Sequence, residues 1–316
     1  VASGTLGDDS LVQMSALAHE VLMPILTNSA HQEAWSDVKG KLEETMHAFL
    51  GQTYVTVGQT HGQTLLPLPP IDMSSIRIEK EKLHMLETAI VMWSKQIKGV
   101  LRASPQDLLR REGMPGPLAE VTFWKGKLRD LVSIDEQLNG VKIRKVLRIL
   151  EATRSTFGSA FTSKVYKEVE LARREAADNA KFLTPLEPWF ARLDAVAEFD
   201  SIMRVIIPIL HLLVLIWKHS KYYHDPDANW AVMIRLLANT IITKGTAHLK
   251  AARLFAKPPD AAVAAIKTVL VVAQRFKTLQ REYALKAQAV APAEAWKSIT
   301  TTIFRRLDAF IARVYD

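Results

Sequence analysis

The residues that could do chemistry are few and scattered. The densest group is His219, His224, Asp225 and Asp227, all able to ligate a metal. Two ligands on one helix face need a spacing of three or four, whereas His219 and His224 stand five apart, and the aspartates fall where a following helix needs an N-cap. Capping accounts for them better than a metal does. His61 stands among small polar residues with no second ligand at a metal-binding spacing and reads as a loop histidine. His211 sits inside an apolar run, where a hydrogen-bonded core histidine is expected rather than a catalytic one. No Walker-type phosphate loop occurs, no GxGxxG follows a strand, and HExxH, GxSxG and cysteine nucleophiles are all missing. With Cys 0, disulfides and thiolate metal sites are excluded, which fits a reducing compartment. The expectation is a chain with no catalytic, cofactor-binding or metal residues. Lys218, Lys221, Tyr222 and Tyr223, where cationic and aromatic groups lie close together, are the candidate partner-binding residues; the competing reading is that both tyrosines close the end of a core helix.

Charge narrows the classes further. The net charge is +8, with 41 basic and 33 acidic residues spread through amphipathic segments and no long basic block. That describes a solvated basic surface; the alternative is a basic helical module that binds an acidic polymer or a tubulin surface, with an affinity that falls steeply with salt. Residue 1 is Val, and neither a basic n-region nor a short apolar h-region follows, so the sequence reads as a piece of a longer polypeptide.

The element that must organise any site is Ile202 to Tyr223, the most apolar run, with no charge between Arg204 and Lys218. It is shorter than the roughly 18 or more apolar residues of a membrane span and carries Pro208 and His211, so it reads as the central helix of a soluble helical core, buried on every side. Other helices are predicted on both flanks. Apolar residues step by three and four over 10–26 and 34–50, two helices of an antiparallel hairpin. Residues 51–70 hold strand formers, glycines and three prolines, predicting a short β-hairpin or extended crossover near 53–66 and a boundary that separates 1–70 from 71–316.

Beyond it, 76–102 forms a helix through Leu86, Ile90, Trp93, Ile97 and Leu101, and Ser104, Pro105 and Asp107 cap the next. Leu118 to Leu138 places Val121, Trp124, Leu128 and Leu131 on one side, and Asn139-Gly140 turns into a helix carrying Ile143, Val146, Leu150 and Phe157. Phe161 to Leu183 presents Val165, Val169, Ala172, Ala176 and Ala180, and Thr184, Pro185 and Glu187 form a capping box. Helices follow over 230–250, over 261–286 with Ile266, Leu270, Ala273 and Phe276 inward, and over 296–315 with Ile299, Ile303, Leu307, Phe310 and Val314 inward. Trp93, Trp124, Trp217 and Trp296 read as core anchors. The predicted fold is all-α, an elongated series of helical bundles without a fixed-period repeat.

Five stretches, in order, carry a resemblance: MLETAIVMWSKQIKGVL from Met85, GPLAEVTFWKGKLRDLVSIDEQL from Gly116, DNAKFLTPLEPWFARL from Asp178, LIWKHSKYYHDPDANWAVMIRLLANTII from Leu215 and IFRRLDAFIARV from Ile303. Over about residues 84–316 they resemble the N-terminal tail of dynein heavy chains, and the 296–314 block looks axonemal, of the outer arm. The Trp93-x-x-Gln96-Ile97 group, Glu120 with Phe123-Trp124, and Trp217 with Ser220 to Tyr223 carry most of it. The resemblance implies a non-catalytic stem segment of a microtubule motor whose ATP hydrolysis resides in a distant AAA+ ring. Residues 1–70 would correspond to the end of the dimerisation portion. Implied partners are other heavy chains, intermediate and light chains and, through the complex, docking proteins and microtubule doublets, with no membrane or nucleic acid and no cofactor in this segment. The implied location is the cytoplasm and cytoskeleton, in the axoneme of a cilium or flagellum.

Overall fold

A computed structural model of the chain describes residues 53–58, 66–111, 113–224, 229–288 and 303–316. The helices expected over 10–26 and 34–50, His61, Asp225, Asp227 and Trp296 lie outside them. The described residues are helical apart from one pair of short strands, so the fold is all-α. Packing divides the chain into two units, one of residues up to 102 with 127–173, the other of 103–126 with 174–316. That division falls elsewhere than the boundary after residue 70 read from composition.

In the first unit, β1 (Thr53–Val55) and β2 (Leu66–Leu68) pair antiparallel, with Thr53 opposite Leu68 and Val55 opposite Leu66. Strand β2 packs on α1 (Lys80–Arg102), which starts four residues later than its apolar pattern suggests. Leu86, Ile90, Trp93 and Ile97 are buried as the period predicts, and Val100 rather than Leu101 closes the face. Helix α2 (Leu118–Asn139) adds Leu131, Ile134 and Leu138 to this core. Leu128 is only half-buried; beside it the buried Lys127 lays its stem inside and donates from Nζ to Leu101 O at 3.2 Å.

After the Asn139-Gly140 turn, α3 (Val141–Ala152) buries Ile143, Val146 and Leu150. Phe157 does not continue that face and is 46% exposed. Arg154 adopts φ 57, a left-handed turn that ends α3 and starts α4 (Thr156–Ala160), where Gly158 faces inward instead. A π-turn, Phe161–Val165, leads into α5 (Tyr166–Leu183). Val165, Val169, Ala176 and Ala180 are buried as expected, with Ala172 half-buried.

Three hydrogen bonds hold the strand segment on these helices. The Thr56 N–H donates to Gln137 Oε1 at 2.9 Å, and its carbonyl accepts from Gln137 Nε2 at 3.1 Å and from Trp93 Nε1 at 2.8 Å. The Trp93 ring stacks on Phe161 with centroids 5.3 Å apart. Gly58, at φ +99, lies against Asp130, where an added Cβ would sit 3.0 Å from the Asp130 Cα.

The second unit opens with the 3₁₀ turn Pro105–Arg110, capped by Ser104 as predicted, with Asp107 completing a capping box. The box expected at Thr184 does not form. Thr184 Oγ1 donates back to Ala180 O at 2.7 Å, the turn Thr184–Leu186 begins at Leu183 without a side-chain cap, and Glu187 pairs with Lys125. Helix α6 (Glu187–Ala195) and the turn Phe199–Ser201 lead to α7 (Ile202–His219), the apolar run. By length and composition Phe199–His219 could cross a membrane. Its inward residues, among them Ile206, Leu210, Leu213 and Trp217, pack chiefly on α11 (Pro259–Gln288). Its other side is open, contrary to the expectation of burial all round: Ile207 is 39% and Leu215 51% exposed, in line with the exposed His211.

The helix closed on nearly every side is instead α9 (Asn229–His248), buried continuously from Trp230 to Ile234 and from Leu236 to Ile242. A single turn, α8 (Lys221–His224), precedes it and a short helix, α10 (Ala251–Phe255), follows. Around α9 pack the turn Pro105–Arg110, α11 and α12 (Arg305–Tyr315). The inner face of α11 runs through Val269, Ala273, Phe276 and Tyr283, leaving Ile266 and Leu270 half-buried. Ile303, Leu307 and Phe310 are buried as predicted, while Val314 is half-buried.

Two glycines of the first unit should respond oppositely to alanine. Gly58→Ala meets both a left-handed φ and the Asp130 backbone, so urea unfolding should show a loss of roughly 2 kcal/mol. Gly99→Ala on α1 meets nothing within 4 Å and should gain about 0.5–1 kcal/mol from helix propensity.

Candidate functional site

The candidate cluster is built by a break in the chain. Helix α7 stops because Ser220 turns extended (φ -87, ψ 122), its N–H closing the last turn on Ile216 O at 2.7 Å. Restarting as one turn, Lys221–His224, rotates the next side chains about the axis. Lys218 and Lys221 are exposed, Tyr222 is half-buried and Tyr223 is fully buried. The four residues therefore do not form one surface group: two lysines and a tyrosine edge face outward, and Tyr223 belongs to the interior.

What holds this turn is a buried polar knot. The Tyr223 hydroxyl donates to Glu120 Oε1, with both side chains buried. Ser220 Oγ donates to Asn179 Oδ1 at 3.2 Å and accepts from the Tyr223 N–H at 3.4 Å. Tyr222 meets Trp124 edge-on at 4.6 Å and Tyr223 at 5.0 Å, and its carbonyl accepts from Asn229 Nδ2 at 2.9 Å. Glu120 and Trp124 are one helical turn apart, so α2 presents an acid and an indole side by side to this turn. Sequence reasoning gave Glu120 no role here. Its signal is its position four residues before an inward tryptophan, a place where a charge is out of keeping with the face.

Burial pushes the Glu120 carboxyl up to about 7, although the Tyr223 hydroxyl and the Trp124 indole both favour the charged form. Tyr223 is pushed well above its ordinary value, by burial first and then by the Glu120 charge. Tyr223 thus stays a donor at any physiological pH, while Glu120 titrates near neutrality.

The other chemical candidates stay apart. His211 is hydrogen-bonded as expected, its Nδ1 3.1 Å from Tyr283 Oη, but from the exposed side of α7 rather than the core. His219 is exposed, and among the described residues no three His, Cys, Asp or Glu side chains gather closely enough to hold a metal. Trp93, Trp124 and Trp217 are buried, as anchors of the core should be.

The buried carboxyl makes stability depend on pH. A carboxyl whose folded value lies above its unfolded one contributes stability that is full below about 4.5 and is lost as pH rises through about 7. Urea unfolding of the wild type should weaken by about 3 kcal/mol relative to Glu120→Gln across that window. A difference between the two proteins that does not change with pH contradicts the assignment.

The family described as "Dynein heavy chain, N-terminal region 1" matches residues 83–316. The chain is similar to the "Dynein beta chain, flagellar outer arm" of Chlamydomonas reinhardtii, 37% identical over 328 aligned positions that cover 100% of this chain and 7% of that protein. It is 32% identical to the "Dynein beta chain, ciliary" of Heliocidaris crassispina, over 98% of this chain and 7% of the relative. With the "Dynein-1-beta heavy chain, flagellar inner arm I1 complex" of Chlamydomonas reinhardtii the identity is 28%, over 98% of this chain and 7% of the relative. The chain thus spans about 7% of the length of these curated relatives. On the match over 83–316, the chain belongs to the dynein heavy chain N-terminal region 1 family.

Proposed function

We propose that this chain is a non-catalytic tail segment of an axonemal dynein heavy chain of the outer arm, serving as a helical scaffold in a microtubule-based motor. It joins heavy chains, carries intermediate and light chains, and through the complex is anchored by docking proteins to the microtubule doublets of a cilium or flagellum. Residues 1–70 form the end of the dimerisation portion and 71–316 the tail bundles. ATP hydrolysis belongs to another part of the heavy chain. The observation that carries this reading is the span of the match: all of this chain aligns with a flagellar outer-arm chain at 37% identity, against 28% with an inner-arm chain. A second support is physical. Within each unit, long helices pinned by buried polar contacts leave outer faces for partners.

Within this scaffold Lys218 and Lys221, with the exposed edge of Tyr222, contact a partner, and Tyr223 positions them by holding the turn on Glu120. The purified chain should turn over no ATP and should co-elute with an intermediate chain or a second heavy chain in size-exclusion chromatography with light scattering. A monomer indifferent to both overturns the reading. In the full-length heavy chain, Lys218→Glu with Lys221→Glu should reduce recovery of the intermediate chain severalfold; unchanged recovery removes these lysines from the contact.

A further inference from the structure

The outward side of α7 carries a pattern of its own. Arg204, His211 and Lys218 stand seven residues apart, with Ile207 three after the first and Leu215 three before the last, and all five are exposed. Steps of three, four, four and three keep side chains on one face, so they form a single row about 21 Å long at about 1.5 Å per residue. Helix α7 carries no Asp or Glu, so its own turns offer these cations no carboxylate. Arg204 lies in the first turn, where the positive end of the helix dipole disfavours a cation, and helix stability therefore gives no reason for it. His211 turns Nδ1 to Tyr283 Oη at 3.1 Å, which leaves Nε2 on the outer edge of the ring.

A polar residue repeated every seven positions, with apolar residues between, shapes a face for the side of one other helix. The row is one side chain wide, whereas a helix lying on a lipid surface needs a broad apolar face with its cations at the margins, not interleaved. A second copy of the row would set cation against cation. Charge complementarity thus names the occupant. We propose that this row docks one amphipathic helix of a partner protein, whose Glu or Asp residues, seven apart, meet Arg204, His211 and Lys218 while aliphatic residues between them rest on Ile207 and Leu215. The row shares Lys218 with the contact proposed above and rests on that reading for that residue alone.

The test measures fluorescence anisotropy of a labelled heptad-repeat peptide, with glutamate and leucine at its two seam positions and alanine and glutamine elsewhere, against the purified chain. The peptide should bind, and glutamine for glutamate or alanine for leucine should each weaken it by at least about fivefold. Arg204→Glu with Lys218→Glu, both exposed, should reverse the preference: the glutamate peptide weakens by at least about tenfold and a lysine counterpart binds in its place. General attraction to a basic chain would not reverse, because the net charge of +8 falls by four and stays positive. A glutamine or alanine peptide that binds as well, or a charge-reversed chain that keeps its preference for glutamate, overturns the proposal. Sedimentation with phosphatidylserine vesicles that is lost in Ile207→Ser with Leu215→Ser overturns it in favour of a lipid surface. The peptide comparisons on the wild type decide the matter even where a variant does not fold. The peptide is no dynein subunit, so its failure overturns this proposal and leaves the intermediate-chain test of the lysines to be read separately.

Discussion

Helix Asn229–His248 leaves water almost no side, and this constraint governs the second unit. A helix enclosed in this way must have each polar atom answered from within and each neighbour shaped to its surface. Asn239 donates to Pro115 O at 3.3 Å, and Thr240 donates to Leu236 O at 3.1 Å. Gly245 leaves room for Phe310, whose Cζ would lie 2.9 Å from a Cβ there. The turn Pro105–Arg110, the Pro259–Gln288 helix and the Arg305–Tyr315 helix are arranged by these requirements. The same constraint orders the faces of this unit around the sealed helix.

Apolar stripes make helices associate, but they tolerate sliding and rotation. Register comes from polar contacts that can be satisfied in one arrangement. The residues by which this chain resembles its family lie at such contacts: Trp93 on the Thr56 carbonyl, Glu120 on Tyr223, Trp124 against Tyr222, and Ser220 on Asn179. Their service to packing gives this family segment a legible signature.

Local patterns were readable where the answer was local. The capping box at Ser104, the Asn139-Gly140 turn, and the inward row Leu86, Ile90, Trp93 and Ile97 need only neighbours in sequence. The strand pair near 53–66 was readable from its branched residues and prolines. What could not be read depends on distance or on uniform composition. Ile207 and Leu215 have the same chemistry as Ile206 and Leu213, so only the polar residues in line with them, Arg204, His211 and Lys218, mark the outward side of α7. Tyr223 turns inward because its acceptor lies 103 residues earlier, and the left-handed Arg154 that redirects Phe157 has no glycine to announce it. The charges Arg235 and Lys244 on α9 hid its central place behind the greasier α7.

The Gln137 side chain presents its amide to Thr56 as a neighbouring strand presents its peptide, accepting from the N–H and donating to the carbonyl. A two-stranded sheet otherwise ends in open hydrogen-bonding groups that invite another chain to add itself. One side chain from a helix thus imitates a third strand and closes that position to self-association.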